Sequence, residues 1–507
     1  MNSMNIKRAM ALCTSLASMS VIPGMSPIGI ASADATSSQQ QFSAGATQTY
    51  VVLYRNDAAP GNAATVIARA GGTLVQSYNE IGVVIARSNN DYFRSNMMLD
   101  ARVEGAAATT GFGVRLSDAN FEVADAATLM HTTTAGVWGD PLSFRQWDMV
   151  QIHVPEAHAI NSGSPSVIVG NIDTGIDYTH PDLAANVDFA NSVSCIGGVP
   201  NTDPTAWFDD NFHGTHTAGT IGAAANGIGI VGVAPNVKIA TIKAGNGDGY
   251  FFPEAVICAF MWAGSHPIDV TNNSYFVDPW LFNCRNDPEQ RAIWKAEQRA
   301  IRYAMSKGVV VVAAQGNENM DLSKRNVDTI SPDFPPGSAI EREVTNACAV
   351  IPVEIPGVIG VTADGSKLQK AYYSSYGVGV AQVTAPGGDN PFQRPSPAIS
   401  GNVLSTIPYY YCGGGGTACY GSASGTSMAS PHAAGVAALI VSRFGKRPQG
   451  AVQAALTGTA DPMACPPNPF MPGGIPELEA TCVGGNGYNG FYGHGQVNAL
   501  NAVTNTR

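Results

Sequence analysis

The sequence predicts an α/β protein, a doubly wound and mostly parallel sheet with helices on both faces, preceded by a small α+β module of ferredoxin-like plan. Three observations predict it. From about residue 140, short and almost wholly apolar runs alternate with helical stretches, the pattern of strands buried on both faces by crossover helices. Residues 48–105 instead follow a β-α-β-β-α-β order within a short span. Residues 106–139, rich in Ala, Thr and Gly without periodicity, separate the two and read as an exposed linker.

Taken in order, the chain opens with Lys7 and Arg8, an apolar run over Ala9–Ile22, and Ala31-Ser32-Ala33 before Asp34. A positive start, a short apolar core and an A-x-A site predict a signal peptide over residues 1–33, so an exported, extracellular protein is expected. Pro23, Gly24 and Pro27 break the run, and no other segment approaches the roughly 20 apolar residues of a membrane span.

In the small module, "TYVVLYR" (49–55) reads as a strand and "NAATVIARAG" (62–71) as a helix ending at glycine. "TLVQSY" and "GVVIAR" are the next strands, a helical stretch carries Tyr92, Phe93 and Met97, and "ARVEGA" closes the unit. In the large domain, 140–507, the strands are 166–173, 237–244, 268–274, 309–316 and 358–363, with helices at 253–264 and 288–306. Ligands of such sheets sit at the carboxyl ends of the strands, where Asp173 and Asn317 fall.

A net charge of −11, with no cluster of Lys and Arg, argues against a nucleic-acid partner. Removing Cys13 with the signal leaves eight cysteines, an even number suited to disulfides in an exported chain. Their spacing favours the local pairs 412–419 and 465–482, leaving 195–258 and 284–348; buried free thiols are the alternative. No C-x-x-C is present, which weakens zinc and redox readings.

Three motifs carry the chemistry. "NIDTGIDYTHPDL" (171–183) ends a buried strand with the carboxylate of Asp173, "FHGTHTAG" (212–219) supplies an imidazole, and "SGTSMASPHAAG" (424–435) sets Ser427 at the start of a helix. A serine hydroxyl is a poor nucleophile at neutral pH and needs a base; an imidazole, with an unperturbed pKa of roughly 6.5, suits that role. The imidazole needs a carboxylate on its other nitrogen to fix its tautomer, and a helix N-terminus beneath the serine adds backbone donors.

These blocks, in the order Asp, His, Ser, resemble the three signature motifs of the subtilisin-like serine proteases, and the likeness covers most of residues 140–507. "GFYGHGQVNALNAV" (490–503) is similar to that fold's usual C-terminal end, so no further domain is expected after it. By match to the motif His213 is the base and His216 a packing residue behind it; a metal pair would want a third ligand and a glutamate, as in H-E-x-x-H. An esterase of the α/β-hydrolase type needs G-x-S-x-G and the serine first, and Ser427 meets neither condition. A catalytically dead binding protein on the same fold would lack a triad or oxyanion residue, and none is missing.

The resemblance implies more. Asn317 in "AAQGNEN" matches the family's oxyanion asparagine. Gly247-Asp248-Gly249 and Ser274-Tyr275-Phe276 match the segments beside which an extended peptide substrate adds as a strand, and Ala314, Gln315 and Gly316 line the same cleft. Tyr275-Phe276-Val277 replaces the usual Leu-Gly-Gly, and Gln315 stands where a small residue is common, so the family's specificity does not carry over. Asp182 and the loop 224–235 match a calcium site, with side-chain oxygens from Asp182 and Asn226, carbonyls from Ala224, Ile228 and Ile230, and a further ligand from Asp140 or Gln146. Residues 34–139 look like an inhibitory propeptide, the inhibitor-like module 48–105 plus its linker, acting as the chain's own intramolecular inhibitor; a permanently attached domain is the alternative. The expected product is a monomeric secreted endopeptidase acting on polypeptides, without an organic cofactor or membrane partner.

Overall fold

The computed structural model describes residues 45–109, 122–123, 140–277, 280–324, 326–332, 338–397, 399–414 and 417–506. The signal peptide expected at 1–33 and most of the linker expected at 106–139 lie outside them.

The small module is a four-stranded antiparallel sheet of β1 (Gln48–Tyr54), β2 (Gly72–Tyr78), β3 (Val83–Ser88) and β4 (Val103–Ala108), in the order β2-β3-β1-β4. Two helices, α1 (Ala63–Arg69) and α2 (Phe93–Met97), cover one face. The strands read as apolar on both sides because both faces are buried. Tyr50, Val52, Tyr54, Val84 and Ala86 pack against Ile67, Phe93 and Met97 of the module's own helices. The opposite set, Val51, Leu53, Val83 and Ile85, joins the core of the large domain. At about 2 kcal/mol per buried aliphatic side chain, this second face is a substantial docking term. The last strand runs to Ala108, beyond the expected boundary at 105, since "EGAAA" keeps pairing with β1.

The large domain is built on a seven-stranded parallel sheet. Its strands are β6 (Ile168–Asp173), β7 (Val193–Ser194), β8 (Lys238–Lys243), β9 (Val270–Asn273), β10 (Val310–Ala314), β11 (Ile359–Asp364) and β12 (Ala381–Pro386), ordered β12-β11-β10-β9-β6-β8-β7. Alternate strand residues face two cores. Ile172, Ile242 and Val311 point to one, which includes α4 (Pro253–Ser265) and α5 (Pro288–Ser306). Val169, Val312 and Val361 point to the other, with α6 (Thr426–Phe444) at its centre. The five expected strands are present, and β7 and β12 extend the sheet at its two edges.

Among the described residues beyond β4, the expected linker holds a paired segment. Strand β5 (Glu122–Val123) lies antiparallel to β14 (Tyr420–Ala423), which pairs on its other edge with β13 (Val403–Thr406). All four disulfides match the expected set, 195–258, 284–348, 412–419 and 465–482. Among the described residues no helix is long and apolar enough to cross a membrane.

Candidate active site

Asp173 is the last residue of β6, and His213 is the first of α3 (His213–Gly222). Both side chains are fully buried, and His213 Nδ1 lies 2.7 Å from Asp173 Oδ1. That carboxylate also accepts from the Thr174 N–H at 2.8 Å and from Thr217 Oγ1 at 3.1 Å, so its position is fixed from three sides. The strand end and the helix start are held together through Asp209, a buried carboxylate between them. Its Oδ1 accepts from Thr174 Oγ1 at 2.9 Å, and its Oδ2 from the N–H and hydroxyl of Thr215 at 2.9 and 2.6 Å. Gly175 and Gly214 permit the approach: a Cβ on Gly214 would stand 2.2 Å from the Gly175 carbonyl oxygen.

Ser427 is the second residue of α6 and only 2% exposed. It is bound reciprocally to the end of β9. Ser427 Oγ donates to the Ser274 carbonyl at 3.2 Å, and Ser274 Oγ donates to the Ser427 carbonyl at 2.9 Å. Asn317 faces the same helix start, its Oδ1 accepting from Thr426 N–H at 2.8 Å and Thr426 Oγ1 at 3.0 Å. With the amide oxygen so occupied, Nδ2 is left as the donor end of the side chain. Gly316, at φ +107°, donates its N–H to Thr426 Oγ1 at 3.0 Å. His216 is a fully buried residue bonded to the Val403 carbonyl, and burial, with the nearby His213 adding, lowers its pKa to about 3. It is neutral at ordinary pH.

The cleft segments are placed unequally. Ser274, Tyr275 and Phe276 follow β9 directly, and Ser274 contacts the Ser427 turn. Ala314 ends β10 and Gln315 and Gly316 follow it; the Gln315 amide is buried with neither polar atom bonded among the described residues. Gly247 and Asp248 are the exposed tip of a turn closed by the bridge between Gly245 and Phe251, and Gly249 follows at φ +87°. The buried partner of Tyr275 is Phe251, stacked on it at 4.3 Å with the rings 5° apart. Sequence reasoning missed Phe251 and Asp209. The only signal for Asp209 was a carboxylate four residues ahead of the "HGTH" motif.

The expected calcium residues converge. Asp182 Oδ2 accepts from the Ile230 N–H and from Tyr420 Oη, both at 3.0 Å, while the buried Oδ1 has no partner among the described residues. Asn226 donates from Nδ2 to the Pro181 carbonyl at 3.3 Å, the Ala224 N–H donates to the Asp182 carbonyl at 2.8 Å, and the Ile228 N–H to Asn226 Oδ1 at 3.0 Å. Asp140 adjoins this loop, accepting from Gly227 N–H at 2.9 Å and Asn226 N–H at 3.3 Å. Gln146 is taken up by both backbone groups of Val231. Burial, with the Asp140 charge adding, raises the Asp182 carboxyl to about 7. Two neighbouring carboxyls, one with an unbonded buried oxygen, fit a hard cation.

Residues 164–495 match the family described as the subtilase family, Peptidase_S8. The chain is a subtilase. This subtilase is 32% identical over 294 residues to subtilisin BL of Lederbergia lenta, spanning 58% of the chain and 83% of that protein. It is 34% identical over 311 residues to subtilisin E of Bacillus subtilis strain 168, spanning 61% of the chain and 64% of that protein. Among solved structures, fervidolysin from Fervidobacterium pennivorans, described as a keratinolytic enzyme related to subtilisin, superposes with a TM-score of 0.63 at 23% identity, over 92% of this chain and 62% of that one. The epidermin leader peptide processing serine protease from Staphylococcus aureus gives 0.65 at 20% identity, over 90% and 98%. Those two support the fold. The family match and the subtilisin relatives place this subtilase among the serine endopeptidases, which act on polypeptides.

Proposed function

We propose that the subtilase cleaves peptide bonds by acyl transfer through Ser427, with His213 as base, Asp173 as its orienting carboxylate and Asn317 as an oxyanion donor. The observation that carries this reading is the 2.7 Å Asp173–His213 hydrogen bond in a fully buried setting. A carboxylate on Nδ1 assigns that nitrogen the proton and leaves Nε2 basic. His213 takes the Ser427 proton as Oγ attacks the carbonyl carbon, and the C=O π electrons move to oxygen. Asn317 Nδ2 and the backbone N–H at the α6 start receive that oxyanion. The imidazolium returns its proton to the leaving amine as the C–N bond breaks, and water then repeats the sequence on the acyl-enzyme. A fluorophosphonate probe tests it: modification of Ser427, absent in Ser427→Ala, is expected, and labelling elsewhere with activity kept in Ser427→Ala overturns it.

Calcium is proposed as a structural ion held by Asp182, Asn226 and the carbonyls of Ala224, Ile228 and Ile230, with Asp140 the nearer of the two further ligands. The unbonded Asp182 Oδ1 supports it. The ion would neutralise the paired carboxyls and hold the 224–230 loop; no step of the reaction runs through it.

The small module is proposed as an inhibitory propeptide of a secreted, self-processing zymogen, released as a monomeric enzyme. Its contacts support this reading. Beyond the shared apolar face, Arg299 on α5 donates to the Tyr54 carbonyl at 2.8 Å and the Ile81 carbonyl at 3.1 Å and pairs with Asp57 at 3.1 Å. Lys295 pairs with Glu104, and Arg94 with Glu289. The antiparallel pairing of β5 with β14 is also how a bound peptide would lie on the strand that leads to Ser427.

A further inference from the structure

Near the end of β4 two carboxyl groups are buried without an ion-pair partner among the described residues. Glu254 lies in the first turn of α4 and is 3% exposed, and Glu297 in the middle of α5 is fully buried. Neither oxygen of Glu297, nor Oε2 of Glu254, has a hydrogen-bond partner among the described residues. Thr109, the residue that follows β4, donates its hydroxyl to the Thr49 carbonyl at 3.2 Å and stands near enough to Glu254 to stabilise its charged form. Arg87 on β3 is near enough to be felt by Glu254, yet it forms no ion pair with it among the described residues. Burial is the main reason both carboxyls are raised, and the Glu254 charge raises Glu297 further across the packed pair of helices α4 and α5.

An unbonded buried carboxyl is costly, and two adjacent ones are more so. The other buried residues of α4 and α5 are nearly all apolar, Gln290 being the exception. The surroundings of the two acids are those of the cleft. Glu297 is close enough to Tyr275 to act on its hydroxyl, and Tyr275 adjoins Ser274, which is bonded to the Ser427 turn. Phe251, stacked on Tyr275, lies three residues before Glu254.

Chain direction says which part of a substrate meets these acids. Thr109 lies at Glu254, and thirteen residues on, Glu122 lies on β14 opposite Ser422, five residues before Ser427. A polypeptide running the same way has its amino-terminal portion over Glu254 and Glu297 and its carboxyl-terminal portion on β14. The module itself brings Thr109 close to the acids, and three of the four carboxyl oxygens stay unbonded among the described residues.

We infer that Glu254 and Glu297 form an acidic subsite, between the first turn of α4 and the middle of α5, that selects a lysine or arginine side chain on the amino-terminal side of the scissile bond. This rests on the peptidase reading and adds its substrate class. The long apolar stem of a basic residue suits a wall made by Tyr275 and Phe251, and its charged head meets both carboxylates.

The test uses the processed enzyme and quenched-fluorescence peptides of one neutral parent sequence. Lys, Arg, Gln, Leu and Glu replace in turn each of the second to fifth residues before the scissile bond. At one position Lys or Arg is expected to raise kcat/KM over Gln by about tenfold or more, as for a desolvated charge pair. That ratio is expected to fall toward one in Glu297→Gln and in Glu254→Gln. Because the ratio is taken within each variant, a loss of active enzyme cancels. A ratio near one at every position in the unmodified enzyme overturns the inference, as does a ratio that survives in the double variant. Cleavage of the neutral parent with a flat profile overturns the subsite alone, whereas cleavage of no peptide at all overturns the peptidase reading with it.

Discussion

Asp173 and His213 share a hydrogen bond of 2.7 Å across the gap between a strand end and a helix start, with neither side chain exposed. The carboxylate fixes which imidazole nitrogen holds the proton. Asp173→Asn is expected to leave the fold and substrate KM nearly intact while lowering kcat by about 10⁴. Single-turnover acylation of an ester and an amide substrate measures it; a loss below tenfold would mean that His213 does not depend on this contact.

Asn317 is pinned by Thr426 through its amide oxygen. Asn317→Ala is expected to cost about 10²–10³ in kcat with little change in KM, since the lost donor acts only on the oxyanion. Asn317→Asp, which keeps the acceptor and removes the donor, is expected to lose as much. Initial rates on one peptide substrate decide both.

Calcium removal is expected to lower the melting temperature and not to stop the chemistry at once, because an ion bound only by the native state stabilises it by mass action. Scanning calorimetry of Ser427→Ala, which excludes autolysis, with and without EDTA reads the effect. Asp182→Ala should abolish the difference between the two scans.

Self-processing predicts two different N-termini. Ser427→Ala should accumulate with residues 48–105 attached, while the active enzyme should begin within 106–139. Arg299→Ala removes the contacts to Tyr54, Ile81 and Asp57, and it should speed loss of the cleaved module. N-terminal sequencing and size-exclusion of the cleaved mixture give both answers. A stable active enzyme with the module still covalently attached makes it a permanent domain.

Asp364 is fully buried, accepting from Gln151 Nε2 at 3.1 Å and Gln496 Nε2 at 2.9 Å, and burial raises its pKa to about 7. The folded protein therefore holds this proton more tightly than the unfolded chain does. The associated stability is fully present below the ordinary carboxylate range and is lost as pH rises through about 7. Melting temperature of Ser427→Ala is expected to fall between pH 5 and 8, with a shallower slope in Asp364→Asn.

The three motifs around Asp173, His213 and Ser427 were legible because the chemistry proposed for them restricts residue types, and the parallel sheet because both its faces demand apolar side chains. Asp173, His213 and Ser427 come from three separate elements, yet each motif carries its own small-residue surroundings, as Gly175 and Gly214 do. The edge strands were not legible. β7 pairs through two residues, and β12 carries Gln382 and Thr384 within a run of small side chains, so neither stands out as an apolar run. The cleft was harder still. Whether Gly247–Gly249 or Phe251 meets Tyr275 depends on where a turn closes, which a glycine-rich stretch does not specify. Glu254 and Glu297 look like solvent-facing helix residues until the packing of β1 on α4 and of β4 on α5 is known.

The Cys195–Cys258 disulfide joins the turn after β7 to the middle of α4. Its tether acts on the helix that forms part of the module's seat. When one protein surface parts from another, the exposed side usually relaxes, and whatever bound there first must be replaced on an altered shape. A helix stapled to the sheet at its centre has little room to do so. The seat of the module and the wall proposed for the next polypeptide then share one stapled helix.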